Sequence, residues 1–381
     1  MDRTVDTAPV GTLRRLRKRF GHVSIAVLLV LAFFRGSRSQ DVHEYARYAL
    51  AFAAHPFARW PVEYPPAAVA VMVPAALSPL AFAFAMLAMA AIVWRALALD
   101  CRPAAQRWLT WMAAGATLTA LGRYDLVPTA CALCALLCAE RRRWTGAWGL
   151  SLAGACLKWF PAMLWPLLLI AEWHETGRWR WDRATLSGAL FAASYGLAWL
   201  GAGGHAWSSI GWFLHRPIEV ESLAASVLVL VGHSLQVVHS FRSENLVGRG
   251  TVLIQHIMLA AQVVGQVVVW GLFVRRRVTL REAATLAMTW LVAVGSVLSA
   301  QYLMWVLPFW ALTWPSLRLG RWPLVVSLAT TVVYPVFYFI DRSGAMWPAM
   351  ARNLLLLLLV AVGVQTVWRR SQDDYIPTDP S

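Results

Sequence analysis

Chemistry in this chain could reside on a short polar island, Ser39-Gln40-Asp41-Val42-His43-Glu44-Tyr45, and on the segment Glu63-Tyr64-Pro65-Pro66 that follows it. A carboxylate exposed at a membrane surface can take the proton of a hydroxyl group, so Asp41 is a candidate general base. Glu44 and Tyr48 lie at helical spacing from Asp41, and a surface helix would present all three on one face, with Tyr45 beside them. Binding an anion requires cations or hydrogen-bond donors. These come from the turn Gly122-Arg123-Tyr124-Asp125, from Lys158 in Leu157-Lys158-Trp159-Phe160-Pro161, from His215-Arg216-Pro217-Ile218-Glu219-Val220-Glu221-Ser222 and from Ser299-Ala300-Gln301-Tyr302. Arg216 or His215 could clamp a phosphate, and Glu221 could orient that arginine or accept from hydroxyl groups. Plainer roles fit the same residues: charges anchoring a loop helix, Tyr64 in an interfacial aromatic belt, Lys158 snorkelling to headgroups.

Membrane helices must position these groups. With 59% hydrophobic and 14% charged residues among 381, and a mean hydropathy of +0.56, the chain cannot hide its apolar surface in one soluble core. An apolar stretch of roughly 18 residues or more can cross a hydrocarbon layer about 30 Å thick. The sequence therefore predicts an all-α polytopic membrane protein, a single domain over 1–381. About twelve transmembrane helices are expected near 20–36, 67–95, 108–121, 126–139, 145–158, 161–173, 184–203, 251–274, 283–299, 302–315, 323–340 and 350–368. The 67–95 segment holds Pro74, Ser78 and Pro79 and reads as one long kinked crossing. The 223–238 run reads as a re-entrant or surface-lying helix.

The net charge of +15 does not point to nucleic acid, because most of the 34 Lys and Arg residues collect in short turns between apolar segments. The positive-inside rule assigns those turns, the basic N-terminus 1–19 and the polar tail 371–381 to the cytosol. Asp41, Glu44, Glu63, Asp125, Glu219, Glu221, Glu244 and Asp341 then fall outside, and external acid–base chemistry must use one of them. The apolar run Val23 to Phe34 is followed by no small-residue cleavage site and reads as a retained first span. Cys131, Cys134 and Cys138 form a helix stripe suited to packing, with no His or carboxylate nearby to complete a metal site. No alternating strand–helix pattern of a nucleotide-binding domain occurs.

In their order along the chain these segments resemble the GT-C class of integral-membrane glycosyltransferases, most closely the bacterial family 87 of polyprenyl-phosphate-mannose-dependent mannosyltransferases. The resemblance covers about residues 24 to 315. It rests on Asp41 with Tyr45, Tyr64-Pro65-Pro66, Gly122-Arg123-Tyr124-Asp125, Leu157 to Pro161, Arg216 to Ser222 and Gln301-Tyr302-Leu303-Met304-Trp305. The family's usual Ser-Pro-Gln-Tyr is Ser299-Ala300-Gln301-Tyr302 here, a departure that bears on local backbone shape and leaves the Gln in place. Glu44, three residues from Asp41, is a looser match to the paired acidic motif of many GT-C enzymes. The resemblance therefore implies no certain cofactor and leaves a divalent metal open.

What the resemblance implies is a hexosyltransferase of the plasma membrane with an extracytoplasmic active site. It would move a sugar, mannose by default and arabinofuranose as the alternative, from a polyprenyl-monophosphate donor to a glycolipid or polysaccharide acceptor, with inversion. Asp41 is then the base, and Glu44, Tyr45, Tyr64, Arg123, Asp125, Lys158, His215, Arg216, Glu221, Gln301 and Tyr302 bind substrate. Membrane lipids would surround the helices and deliver the donor sideways. The rival reading, a polyprenyl-lipid transporter or flippase, predicts inverted repeats and polar residues deep within spans, and neither stands out in the sequence.

Overall fold

The computed structural model describes residues 40–232, 235–337, 340 and 346–373. The first span expected near 20–36, the basic N-terminus, Asp341 and residues 374–381 lie outside them. Helix α1, Gln40–Ala54, covers the segment around Asp41 where a helix is expected. It turns Val42, Tyr45 and Ala49 inward at helical spacing and carries Asp41 in its first turn, where a negative charge favours the helix N-terminus. A 3-10 turn at Pro66–Ala68 opens α2, Val69–Leu77.

The single kinked crossing expected over 67–95 is two helices. Ser78 is extended (φ −172°, ψ 156°), and its Oγ accepts from the Ala81 N–H at 2.9 Å, capping α3, Pro79–Asp100. Ser followed by Pro is a helix-start signal, since Ser supplies the N-cap oxygen and Pro has no N–H to leave unsatisfied.

Helices α4 (Arg102–Gly115), α5 (Leu126–Glu140), α6 (Trp144–Leu157), α7 (Trp165–Thr176) and α8 (Trp181–Ala202) follow, then α9, Ser208–His215. Beyond a small sheet come α11 (Thr251–Val274), α12 (Leu280–Ala293), α13 (Leu303–Thr313), α14 (Trp322–Thr331) and α15 (Met346–Asp373), with α10 (Leu223–Leu230) inside the sheet region. Among the described residues four stretches are long and apolar enough to cross a membrane: α3, Trp181–His215, α11, and α15 through Arg370. Leu197, Val264 and Leu354 stand exposed on three of them, a surface suited to lipid rather than water. The other apolar segments fold as shorter helices. The 15 residues of α5, for example, extend about 22 Å.

At the centre lies α13, in which every residue from Leu303 to Thr313 is buried, as an all-round apolar helix requires. Its polar atoms are tied to neighbours: Trp310 Nε1 donates to Thr289 Oγ1 of α12 at 2.8 Å, and Arg107 of α4 donates to the Ala311 carbonyl at 2.8 Å. Gly115 lets α4 approach α14 closely, since a Cβ there would lie 2.8 Å from the Ser327 Cα. At the end carrying the basic turns, Arg281 bonds Asp100 of α3 at 3.0 Å and Glu140 of α5 at 2.7 Å, and Arg370 bonds Glu282 at 2.9 Å.

The 223–238 run is helical only in its first half. Gly232 (φ 73°) follows the end of α10, and the β-branched pair Val237-Val238 belongs to a strand. Strands β1 (Ile218–Glu219), β2 (Leu235–Ser240) and β3 (Ser243–Gly248) form an antiparallel sheet in the order β1-β3-β2, with Ile218 opposite Leu246 and Glu219 opposite Asn245. Alternation gives this sheet two faces. Ile218 and Leu246 join Val220, Ala224, Ala225 and Leu228 in a small core, and Glu219, Asn245 and Ser243 lie on the other side.

Candidate active site

A cavity of about 320 Å³ lies where α1, the Tyr64–Pro66 turn, the Arg123 turn, the Lys158–Met163 segment, α9, the sheet and the Ser299–Trp305 segment meet. Seven of the residues expected from the sequence line it: Asp41, Tyr64, Arg123, Lys158, Arg216, Gln301 and Tyr302. They come from six regions of the chain, brought together by tertiary packing.

Asp41 is part-exposed and accepts a salt bridge from Arg123 Nε at 2.9 Å. Lys158, the extended residue that ends α6, donates to Asp125 Oδ1 at 2.6 Å, and the Trp305 indole donates to the same oxygen at 2.6 Å. The anion that accounts for this lysine is therefore Asp125, fully buried behind it. The Lys158 ammonium is also ringed by the faces of Tyr64, Tyr124, Tyr302 and Trp305, with centroids 5.1 to 5.8 Å away. Burial lowers the Lys158 pKa from its ordinary value, and Asp125 opposes that shift.

Five expected residues stand off the cavity wall. Tyr45 is buried beneath it, edge-on to Tyr64 and Tyr124, and its hydroxyl is pushed well up by burial. Asp125 acts through Lys158 and Trp305. Glu44 bonds Arg47 and Arg242, the latter at 3.0 Å. His215 is exposed at the end of α9, its Nδ1 2.8 Å from the Gly211 carbonyl oxygen. Glu221 turns away to Arg352 of α15, at 3.3 Å; burial raises its carboxyl to about 7 against the pull of Arg352. It does not orient Arg216. That part is taken by Glu219, with Oε1 3.5 Å from Arg216 Nη2 and accepting from Ser299 Oγ at 2.8 Å.

Glu63, Glu219 and Arg242 also line the cavity and were not singled out as site residues from the sequence. Glu63 and Glu219 lie within segments named above and among the carboxylates expected outside, and that placement is their signal in the sequence. Arg242 carried none. It lies at the two-residue tip between β2 and β3, where Phe241 (φ 50°) and Arg242 (φ 56°) both adopt the left-handed conformation usually left to Asn or Gly. Two ion pairs hold it there, to Glu63 at 2.7 Å and to Glu44, while Phe241 packs edge-on against Trp212.

Each cation on the wall thus has a carboxylate partner: Arg123 with Asp41, Lys158 with Asp125, Arg216 with Glu219, Arg242 with Glu63. The result is a nearly neutral cleft of alternating donors and acceptors, floored by aromatic rings such as Phe160 stacked on Trp305. Among the described residues no three His, Cys, Asp or Glu side chains converge as a metal site. No protein-family model matches the chain, and no curated protein matches its sequence.

Proposed function

We propose that the protein is a GT-C-type membrane glycosyltransferase of the family 87 kind, with about twelve crossings of the plasma membrane and its active site on the outer face. It transfers a sugar, by default mannose, from a polyprenyl-monophosphate donor to a glycolipid or polysaccharide acceptor. The observation that carries this reading is the cavity itself. Asp41, Lys158 and Arg123 meet there on a wall rich in aromatic faces, in a volume at the small end of the roughly 300–1,000 Å³ usual for ligand pockets. Aromatic walls with a few fixed polar groups suit a sugar, which has apolar faces and a rim of hydroxyls.

The segregation of charge supports the two-sided arrangement. Asp41, Glu63 and Glu219, read from sequence as external, line this cavity, whereas Asp100, Glu140, Glu282, Arg281 and Arg370 from the basic turns pair with one another.

In this mechanism the acceptor hydroxyl gives its proton to the Asp41 carboxylate as its oxygen attacks the anomeric carbon. The bond from that carbon to the phosphate oxygen breaks, and the electron pair leaves with the polyprenyl phosphate. Arg123 fixes the orientation of Asp41, and Lys158, held by Asp125, supplies positive charge to the leaving group as its negative charge develops. One displacement inverts the anomeric configuration. Incubating the purified protein with defined polyprenyl-phosphate sugars and extracted membrane glycolipids tests the proposal. A hexose mass increment on a glycolipid is expected, a pentose increment would make the donor sugar arabinofuranose, and no increment with any donor would overturn the reading.

A further inference from the structure

We propose that Arg216 and Glu219 form one recognition pair for a single hydroxyl group of the sugar bound in the cavity, so that Arg216 reads the sugar rather than the donor phosphate. The inference rests on the glycosyl-transfer reading and assigns a specificity role within it.

Glu219 is nearly fully buried, yet it lines the cavity. Its Oε1 is taken by Ser299 and Arg216, while its Oε2 has no hydrogen-bond partner among the described residues. Arg216 mirrors this: Nη2 donates to Ser243 Oγ at 3.0 Å and lies near Glu219, and Nε is without a partner. A buried charged atom with no partner is costly, so a pair of them beside an open cavity implies an occupant that satisfies both. One lacks a donor and the other lacks an acceptor. A hydroxyl group is both: its hydrogen goes to Glu219 Oε2 and its oxygen accepts from Arg216 Nε–H. An ionised phosphate offers acceptors only and would set its charge against Glu219.

The pair is built rather than incidental. Strand β1 holds Glu219 in register with Asn245, its backbone N–H donates to the Ser296 carbonyl at 3.0 Å, and strand alternation turns it away from the small core that Ile218 joins. Arg216 is fixed at its backbone by Gln255, whose side-chain amide donates to its carbonyl at 3.0 Å. A site held on strand backbone selects by geometry.

The test is ligand-observed NMR on the purified full chain in detergent. The probes are methyl α-mannopyranoside and its four monodeoxy analogues, or methyl arabinofuranoside and its deoxy analogues should the transfer assay give a pentose. The parent protein is expected to bind one analogue about 10-fold or more weakly, because a site built to bond a hydroxyl rejects the compound that lacks it. Glu219→Ala should bring that analogue within about 2-fold of the intact glycoside. Glu219→Gln, which keeps the shape and one acceptor oxygen, should retain part of the discrimination and is decisive if the Ala variant does not fold. Equal binding of all analogues by the parent would mean that the pair holds only water and would overturn the inference. So would discrimination unchanged in Glu219→Gln. Either result with sugar transfer intact removes this inference alone; loss of all glycoside binding together with absence of transfer removes the function on which it rests.

Discussion

Asp41 and Lys158 occupy the same cavity but stand there for different reasons, and substitution separates them. Asp41 is held by Arg123 at 2.9 Å with its side chain part-exposed. Asp41→Asn keeps shape and hydrogen bonding but not basicity, so sugar transfer should fall by about 10²-fold or more with folding retained. Glu44→Gln should cost far less, since Glu44 is engaged with Arg47 and Arg242 rather than with the cavity. Near-parental turnover in Asp41→Asn would place the base elsewhere. Lys158 instead compensates a fully buried carboxylate. Lys158→Met leaves Asp125 without its cation, and breaking such a pair from one side costs about 3–5 kcal/mol. Adding Asp125→Asn should restore most of the lost melting temperature but not transfer. If Lys158→Met alone melts as the parent does, the ion pair is not holding this part of the fold.

At the scale of elements, the β2–β3 hairpin is the part of the site under visible strain. Two consecutive non-glycine residues at positive φ cost on the order of 1–3 kcal/mol each, and they persist because Arg242 is clamped by Glu63 and Glu44. That clamp has a pH signature. Burial raises the Glu63 carboxyl above its ordinary value, against the pull of Arg242. A carboxyl whose folded pKa lies above its unfolded one favours the fold while protonated. Its contribution is full below the ordinary carboxylate value and is lost as pH rises through the raised folded value. The melting temperature should therefore decline more steeply with rising pH in the parent than in Glu63→Gln, from the ordinary carboxylate value upward. Parallel curves for the two proteins would show that Glu63 titrates normally.

For the whole molecule, the decisive question is which end faces out. His215 is exposed beside the cavity segment, and Arg142 is exposed in the basic turn between α5 and α6. Single cysteines at these positions, in a variant lacking the five native ones, should differ when intact cells meet a membrane-impermeant thiol reagent. Labelling at 215 and protection at 142 is the expected result. The reverse would put the cavity on the cytosolic side and exclude the proposed donor chemistry.

The sequence by itself pointed to a helical membrane protein through its 59% hydrophobic residues, and four described stretches are long and apolar enough to cross a membrane. It also located α1 through its periodicity and seven cavity residues through short polar motifs between apolar runs. The Ser78-Pro79 break was present as a cap signal, though two prolines in one apolar run read equally as a kink. The sheet was harder to read: a two-residue strand and a hairpin without Gly or Asn at its tip lack the usual local signature, and both depend on long-range pairing. Only the tertiary structure decided the partners. Asp125 and Lys158 lie 33 residues apart, and Asp125 and Trp305 lie 180 apart, yet all three share one carboxylate oxygen. A sequence states which groups carry charge, but which charges neutralise one another is set by the packing of helices distant along the chain. That packing pairs Arg123, Lys158, Arg216 and Arg242 each with a carboxylate around a nearly neutral cleft.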